Sequence, residues 1–143
     1  MNYVKHDRSL LMFILLSFVT CGIYSIYFWY QYVNDLNTVC DGDGKETHNY
    51  IIVLLLSIVT CGIYHYIWEY GVGNRLQENA RRYDLEFSEN GTTVLMWGIF
   101  GMLLCGVGFF IAYHIMIKNM NALAAVYNSR NIVDTQDNTQ YQN

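Results

Sequence analysis

Apolar positions gather into three blocks, residues 10–32, 50–72 and 94–117, and polar connectors separate them. Each block is about as long as a bilayer crossing, for which roughly 20 apolar residues suffice. The third, VLMWGIFGMLLCGVGFFIAYHIMI, carries no Asp, Glu, Lys or Arg. The pattern predicts an all-α integral membrane protein of three helical units, read as three transmembrane helices.

The blocks resemble one another. LSFVTCGIY begins at Leu16 and LSIVTCGIY at Leu56, forty positions later. The match resumes at Tyr30/Tyr70, Asn34/Asn74 and Leu36/Leu76. A further shift of forty-four sets Cys61-Gly62 on Cys105-Gly106. Three units follow, about residues 9–37, 49–77 and 93–121, and self-similarity of this kind is a feature of many membrane folds. Each unit is an apolar run, a Cys-Gly, an aromatic run and a polar exit, with Asn34, Asn37, Asn74, Gln77, Asn119 and Asn121 at the exits. Gly is tolerated in membrane helices, so the units are expected to be continuous helices. The alternative is a break at Thr-Cys-Gly that makes each unit a hairpin, with the freed backbone covered by protein or water. The third block lacks the threonine and is expected to be continuous in either case.

The cysteines follow the repeat. Cys21, Cys61 and Cys105 share one position, Cys40 stands alone in a loop, and no Cys-x-x-Cys occurs. A structural metal or redox motif therefore has no support, and the repeated cysteines read as small packing residues. Ser17, Ser57 and Gly101 precede them by four positions. In the third unit Gly101, Cys105, Gly108 and Ala112 form a small-residue stripe suited to close helix approach in lipid.

Composition agrees with a membrane setting. Hydrophobic residues make up 53% of the 143 and charged residues 14%, against roughly 25% charged in ordinary soluble domains. The net charge of −4 gives no basic face for nucleic acid. Lys5 and Arg8 before an apolar run resemble a signal peptide, but Val-Thr-Cys at 19–21 recurs at 59–61, where no leader can lie. Lys5 and Arg8, an acidic first loop (Asp35, Asp41, Asp43, Glu46) and a second connector with Arg75, Arg81 and Arg82 predict a cytoplasmic N-terminus and an external first loop. The aromatic runs IYSIYFWYQY and IYHYIWEY read as interfacial anchors. Residues 74–87 read as a short interfacial helix, and residues 132–143 as a disordered polar tail.

Chemistry is sparse. Cys61, His65 and Glu69 are spaced by four and share a helical face, and ionisable groups inside a membrane are often functional. His65 and Glu69, with His114, Asn34 and Asn74, form a candidate polar pathway. No nucleophile elbow, metalloprotease motif or phosphate loop occurs, so neither enzyme nor cofactor is expected.

The run Leu-Ser-x-Val-Thr-Cys-Gly-Ile-Tyr-x-x-Tyr-x-Trp from Leu16 to Trp29, followed by Asn-Asp-Leu-Asn at 34–37, resembles a bacterial membrane domain catalogued as domain of unknown function 4234. The resemblance covers residues 8–82; the second unit departs from it at His65, Tyr66 and Glu69. It implies a small integral membrane protein and supplies no activity. The expected protein is therefore multi-pass in the plasma membrane, with the lipid bilayer as partner. It would act by helix association as a homo-oligomer or membrane-complex subunit, with a channel or transporter component as the alternative and an enzyme behind both.

Overall fold

The computed structural model describes residues 3–104 and 106–140. Among the described residues there are six α-helices and no strand: α1 Leu10–Val19, α2 Ile23–Val39, α3 Tyr50–Val59, α4 Ile63–Ala80, α5 Gly91–Leu103 and α6 Val107–Gln140. A 3₁₀ turn, Arg81–Tyr83, follows α4.

All three blocks are broken, which corrects the expectation of three continuous spans, the third block included. In the first unit Gly22 N donates to Ser17 O (2.7 Å) and Cys21 N to Phe18 O (3.3 Å), the paired bonds of a Schellman ending. Cys21 (φ 51°) and Gly22 (φ 91°) are both left-handed. Thr20 joins the two helices. Its hydroxyl donates back to Leu16 O (2.7 Å) and accepts from Tyr24 N (2.9 Å), so one side chain serves an orphan carbonyl and an orphan amide. Thr60, Cys61 and Gly62 repeat this, with hydroxyl distances of 2.8 and 3.0 Å. In the third unit Gly106 (φ 84°) donates to Gly101 O at 2.7 Å, without a threonine. Cys105 lies outside the described residues.

The glycine after each break has no neighbour to clash with; its requirement is the positive φ alone. Gly62→Ala should therefore cost about 1–2 kcal/mol, the price of a left-handed Cβ, measured by denaturation in detergent. A cost near zero would mean that the break is not held.

Each unit is thus a helical hairpin. α1 contacts α2 and α6, α3 contacts α2 and α4, and α5 contacts α4 and α6, which closes the hairpins into a ring. Leu36, Leu76 and Met120, equivalent under the forty and forty-four shifts, are fully buried in one core. Gly22, Gly62 and Gly106 each lie fourteen positions before them, so the three breaks sit at one level and the polar ends at the other. The aromatic runs divide. Tyr27, Tyr30 and Tyr70 are exposed, whereas Phe28, Trp29, Tyr32 and Trp68 are buried, contrary to a purely interfacial role. Tyr32 donates its hydroxyl to Met116 O on α6 at 2.9 Å.

Among the described residues one helical stretch, Val107–Ile132, is long and apolar enough to cross a membrane; Leu10–Val19, Tyr50–Val59 and Gly91–Gly101 are shorter apolar helices. Residues 74–80 extend α4 instead of forming a separate interfacial helix, and Leu76 and Tyr83 enter the core. α6 continues through residues 132–140, where the sequence predicts a disordered tail.

Candidate functional site

The polar ends of the hairpins form one connected base. Asn37, at the exit of α2, holds the backbone before α3: Thr47 N donates to its Oδ1 and its Nδ2 donates to Thr47 O, both at 2.9 Å. Asn121 on α6 holds the backbone before α1 in the same way, through Arg8 N (3.1 Å) and Arg8 O (2.8 Å). Gln77 on α4 donates to Phe87 O, before α5, at 3.1 Å. These three residues are equivalent under the two shifts, and each ties its hairpin to the start of the next one around the ring. A two-armed amide can satisfy both backbone groups of one residue, which explains amides at the exits.

Arg75 centres the base. Its side chain is 4% exposed and donates to Asp43 (2.8 and 3.1 Å), Thr47 Oγ1 (2.8 Å), Lys45 O (2.6 Å) and Asn37. Asn79 donates to Asp43 as well, at 2.9 Å. Arg8 pairs with Asp35, and Lys45 with Glu78. The acidic first loop and the arginine of α4 are therefore bonded to each other. This corrects the predicted orientation, which set the first loop and the second connector on opposite faces; the charge asymmetry between them is complementarity.

Burial pushes the Asp43 carboxyl up, but hydrogen bonds from Arg75, Asn79 and the Lys45 amide outweigh it and hold it at about 2, below its ordinary 3.8. A carboxyl depressed by folding contributes stability that is complete above the unfolded value and lost as pH falls through the folded one. The chain should lose stability between pH 3.8 and 2, and Asp43→Asn should flatten that dependence in denaturation curves. Burial raises the Cys40 thiol to about 12, which leaves it unreactive at neutral pH.

Deeper in the ring lies the second cluster. Glu69 is fully buried, and its two oxygens accept no hydrogen bond among the described residues. His65 Nε2 lies 3.2 Å from Glu69 Oε1, as an ion contact, and 3.2 Å from the Tyr113 hydroxyl, to which it is hydrogen-bonded. His65 also stacks on Trp68, ring centroids 5.6 Å apart. Gly98 passes close by: a Cβ there would meet Glu69 Oε2 at 3.0 Å. An isolated carboxylate in such surroundings costs several kcal/mol when ionised.

The other predicted pathway residues are not brought to this cluster. Asn34 and His114 are exposed. Asn74 accepts from Gly91 N at 2.9 Å, at the α4–α5 contact. The packing residues also separate. Gly101, Gly108 and Ala112 are buried, while Ser17 and Ser57 are half-buried and Cys21 and Cys61 exposed at the breaks. A Cβ on Gly101 would meet Gly108 N at 2.7 Å, so this stripe is occupied within the chain, between α5 and α6. The sequence offers Arg75 and Asp43 only as loop charges, and it does not single out Asn79 or Tyr113. For Tyr113 a signal existed: it falls on Trp29 and Glu69 under the two shifts.

Among the described residues no group of three or more His, Cys, Asp and Glu side chains could hold a metal ion. A family model described as a domain of unknown function (DUF4234) matches residues 8–78 and again residues 51–122. No curated protein and no solved structure matches the chain.

Proposed function

Because the chain belongs to the family described as domain of unknown function (DUF4234), which carries no activity to transfer, we propose a role from its physical shape: a membrane protein that sinks three hairpins into one leaflet and acts there by association. The two matches overlap over residues 51–78, most of α3 and α4, which supports three like units.

One observation carries this reading. Of the charged side chains in residues 3–132, only Glu69 lies away from the base and its flanking connectors. At the opposite end Phe18, Val19, Ile58, Val59, Leu103 and Leu104 are all more than half exposed. Apolar exposure of this extent, opposite a polar end, supports a membrane-contacting surface.

Depth favours one leaflet over two. α1 and α3 have ten residues each, or about 15 Å at 1.5 Å per residue, half of a hydrocarbon core of about 30 Å. Tyr30 and Tyr70 each lie eight positions after the break glycine, about 12 Å up the helix, close to the interface that tyrosine favours. Hairpins of this depth leave only Val107–Ile132 long and apolar enough for both leaflets, which favours association over the channel. The lipid-facing flank between α4 and α5 carries a groove of about 390 Å3 lined by Ile63, Tyr66, Ile67, Tyr70, Leu95 and Ile99, a surface on which a membrane partner can seat.

Single cysteines at Phe18, Glu46 and Ser88, in a background without native cysteines, test the reading with an impermeant thiol reagent on sealed vesicles. Positions 46 and 88 should label from the same face, and position 18 from neither. Labelling of 46 and 88 from opposite faces would restore the spanning arrangement. Aqueous labelling of position 18 would remove the membrane from the picture.

A further inference from the structure

On the outer face of the first hairpin, a groove of about 130 Å3 is lined by Lys5, Arg8, Gln31 and Asp35 at one end and by Tyr24 and Tyr27 at the other. We propose that it binds the headgroup of a zwitterionic phospholipid with a primary amine, the phosphate against Lys5 and Gln31 and the ammonium against Asp35. The inference rests on the one-leaflet reading.

Depth comes first. Tyr24 and Tyr27 lie two and five positions after Gly22, Gln31 and Asp35 nine and thirteen. At 1.5 Å per residue the aromatic end sits about 3–8 Å above the level of the breaks and the polar end about 14–20 Å above it. The first range belongs to acyl chains and the second to the headgroup layer, which begins about 15 Å from the bilayer centre. The groove therefore changes from apolar to polar at the depth where a phospholipid does.

Charge selects the headgroup. Arg8 is already committed: its guanidinium donates to Lys5 O and pairs with Asp35 Oδ2, and it lies over the Tyr32 ring. Its charge and half of Asp35 are thus used inside the protein. The Lys5 ammonium has no ion-pair partner among the described residues, and neither does Asp35 Oδ1. The Gln31 amide makes no hydrogen bond there either. The open groups are one cation, one amide donor and one carboxylate oxygen. An anionic glycerol headgroup would offer the Asp35 oxygen only neutral hydroxyl donors and no counter-charge. A trimethylated amine has no N–H to donate. A phosphate joined to a primary ammonium matches all three, with charge-assisted hydrogen bonds at both ends.

The full chain in mild detergent would be titrated with phosphatidylethanolamine, phosphatidylcholine and phosphatidylglycerol of identical chains, and with soluble glycerophosphoethanolamine, bound species being counted by native mass spectrometry. Phosphatidylethanolamine should bind about tenfold more tightly than the other two lipids. Lys5→Gln and Gln31→Leu should each erase that preference while helix content stays unchanged. Equal binding of the three lipids, or a preference that survives Lys5→Gln, overturns the site. Soluble headgroup binding as tight as the lipid's overturns the lipid as occupant. Flotation on vesicles of phosphatidylcholine alone tests leaflet insertion separately. A chain that floats yet shows no preference has lost the site only. A chain that does not float has lost leaflet insertion, and the lipid occupant with it.

Discussion

Arg75→Met should destabilise the chain by about 3–5 kcal/mol, the range for removing one member of a buried ion pair. The guanidinium is 4% exposed and its Asp43 partner 10%. Without it, Asp43 keeps the Asn79 amide but loses its counter-charge, and Asn37 and Thr47 each lose a donor. Arg75→Lys should recover little, because a point ammonium cannot serve four acceptors spread across a planar fork. The double variant Arg75→Met/Asp43→Asn should be less damaged than the sum of the singles, since the uncompensated charge is gone. Denaturation of the four proteins in detergent gives the coupling energy. Additive effects would show that the acidic loop and α4 do not meet, and the argument for one polar base would fall with them.

Gly108→Leu should cost more than about 4 kcal/mol, a size reserved for a few severe mechanisms. The obstacle is backbone: a Cβ at 108 would lie 2.7 Å from Gly101 N, and closer still to Gly101 Cα and the Trp97 carbonyl. A side chain could rotate away, but α5 itself cannot without opening the third hairpin. Gly71 is the control. It is helical with nothing within 4 Å of a Cβ, so Gly71→Ala should stabilise by about 0.5–1 kcal/mol through helix propensity. If Gly108→Leu unfolded no more readily than the parent protein, the α5–α6 contact would be wrong, and the small-residue stripe would be free for a second chain.

The break in each unit was legible in part. Thr-Cys-Gly at 20–22 and 60–62 is a place where a helix can end, but glycine alone does not separate a continuous membrane helix from a Schellman ending. What decides is whether the freed groups find partners, and the Thr20 and Thr60 hydroxyls each serve both sides of the break. The third unit, without a threonine, gave no warning of the left-handed Gly106. The charge pattern admits two readings. An acidic loop and a basic connector satisfy a topology rule or an ion pair equally well, and only the Asp43–Arg75 contact tells the two apart. His65 and Glu69 were paired by helical spacing, whereas Tyr113, forty-eight residues from His65, arrives by packing.

By itself the sequence determined an all-helical chain of three like apolar units, each with a Cys-Gly and an amide-bearing exit. Those properties are written in local composition and period, which need no partner to be read. The tertiary structure alone decided that each unit folds back as a hairpin, that Asn37, Gln77 and Asn121 fasten the ring, and that charge gathers at one end. These depend on which backbone groups are left without partners and on which distant side chain reaches them. Such pairings carry no periodic trace in a single sequence.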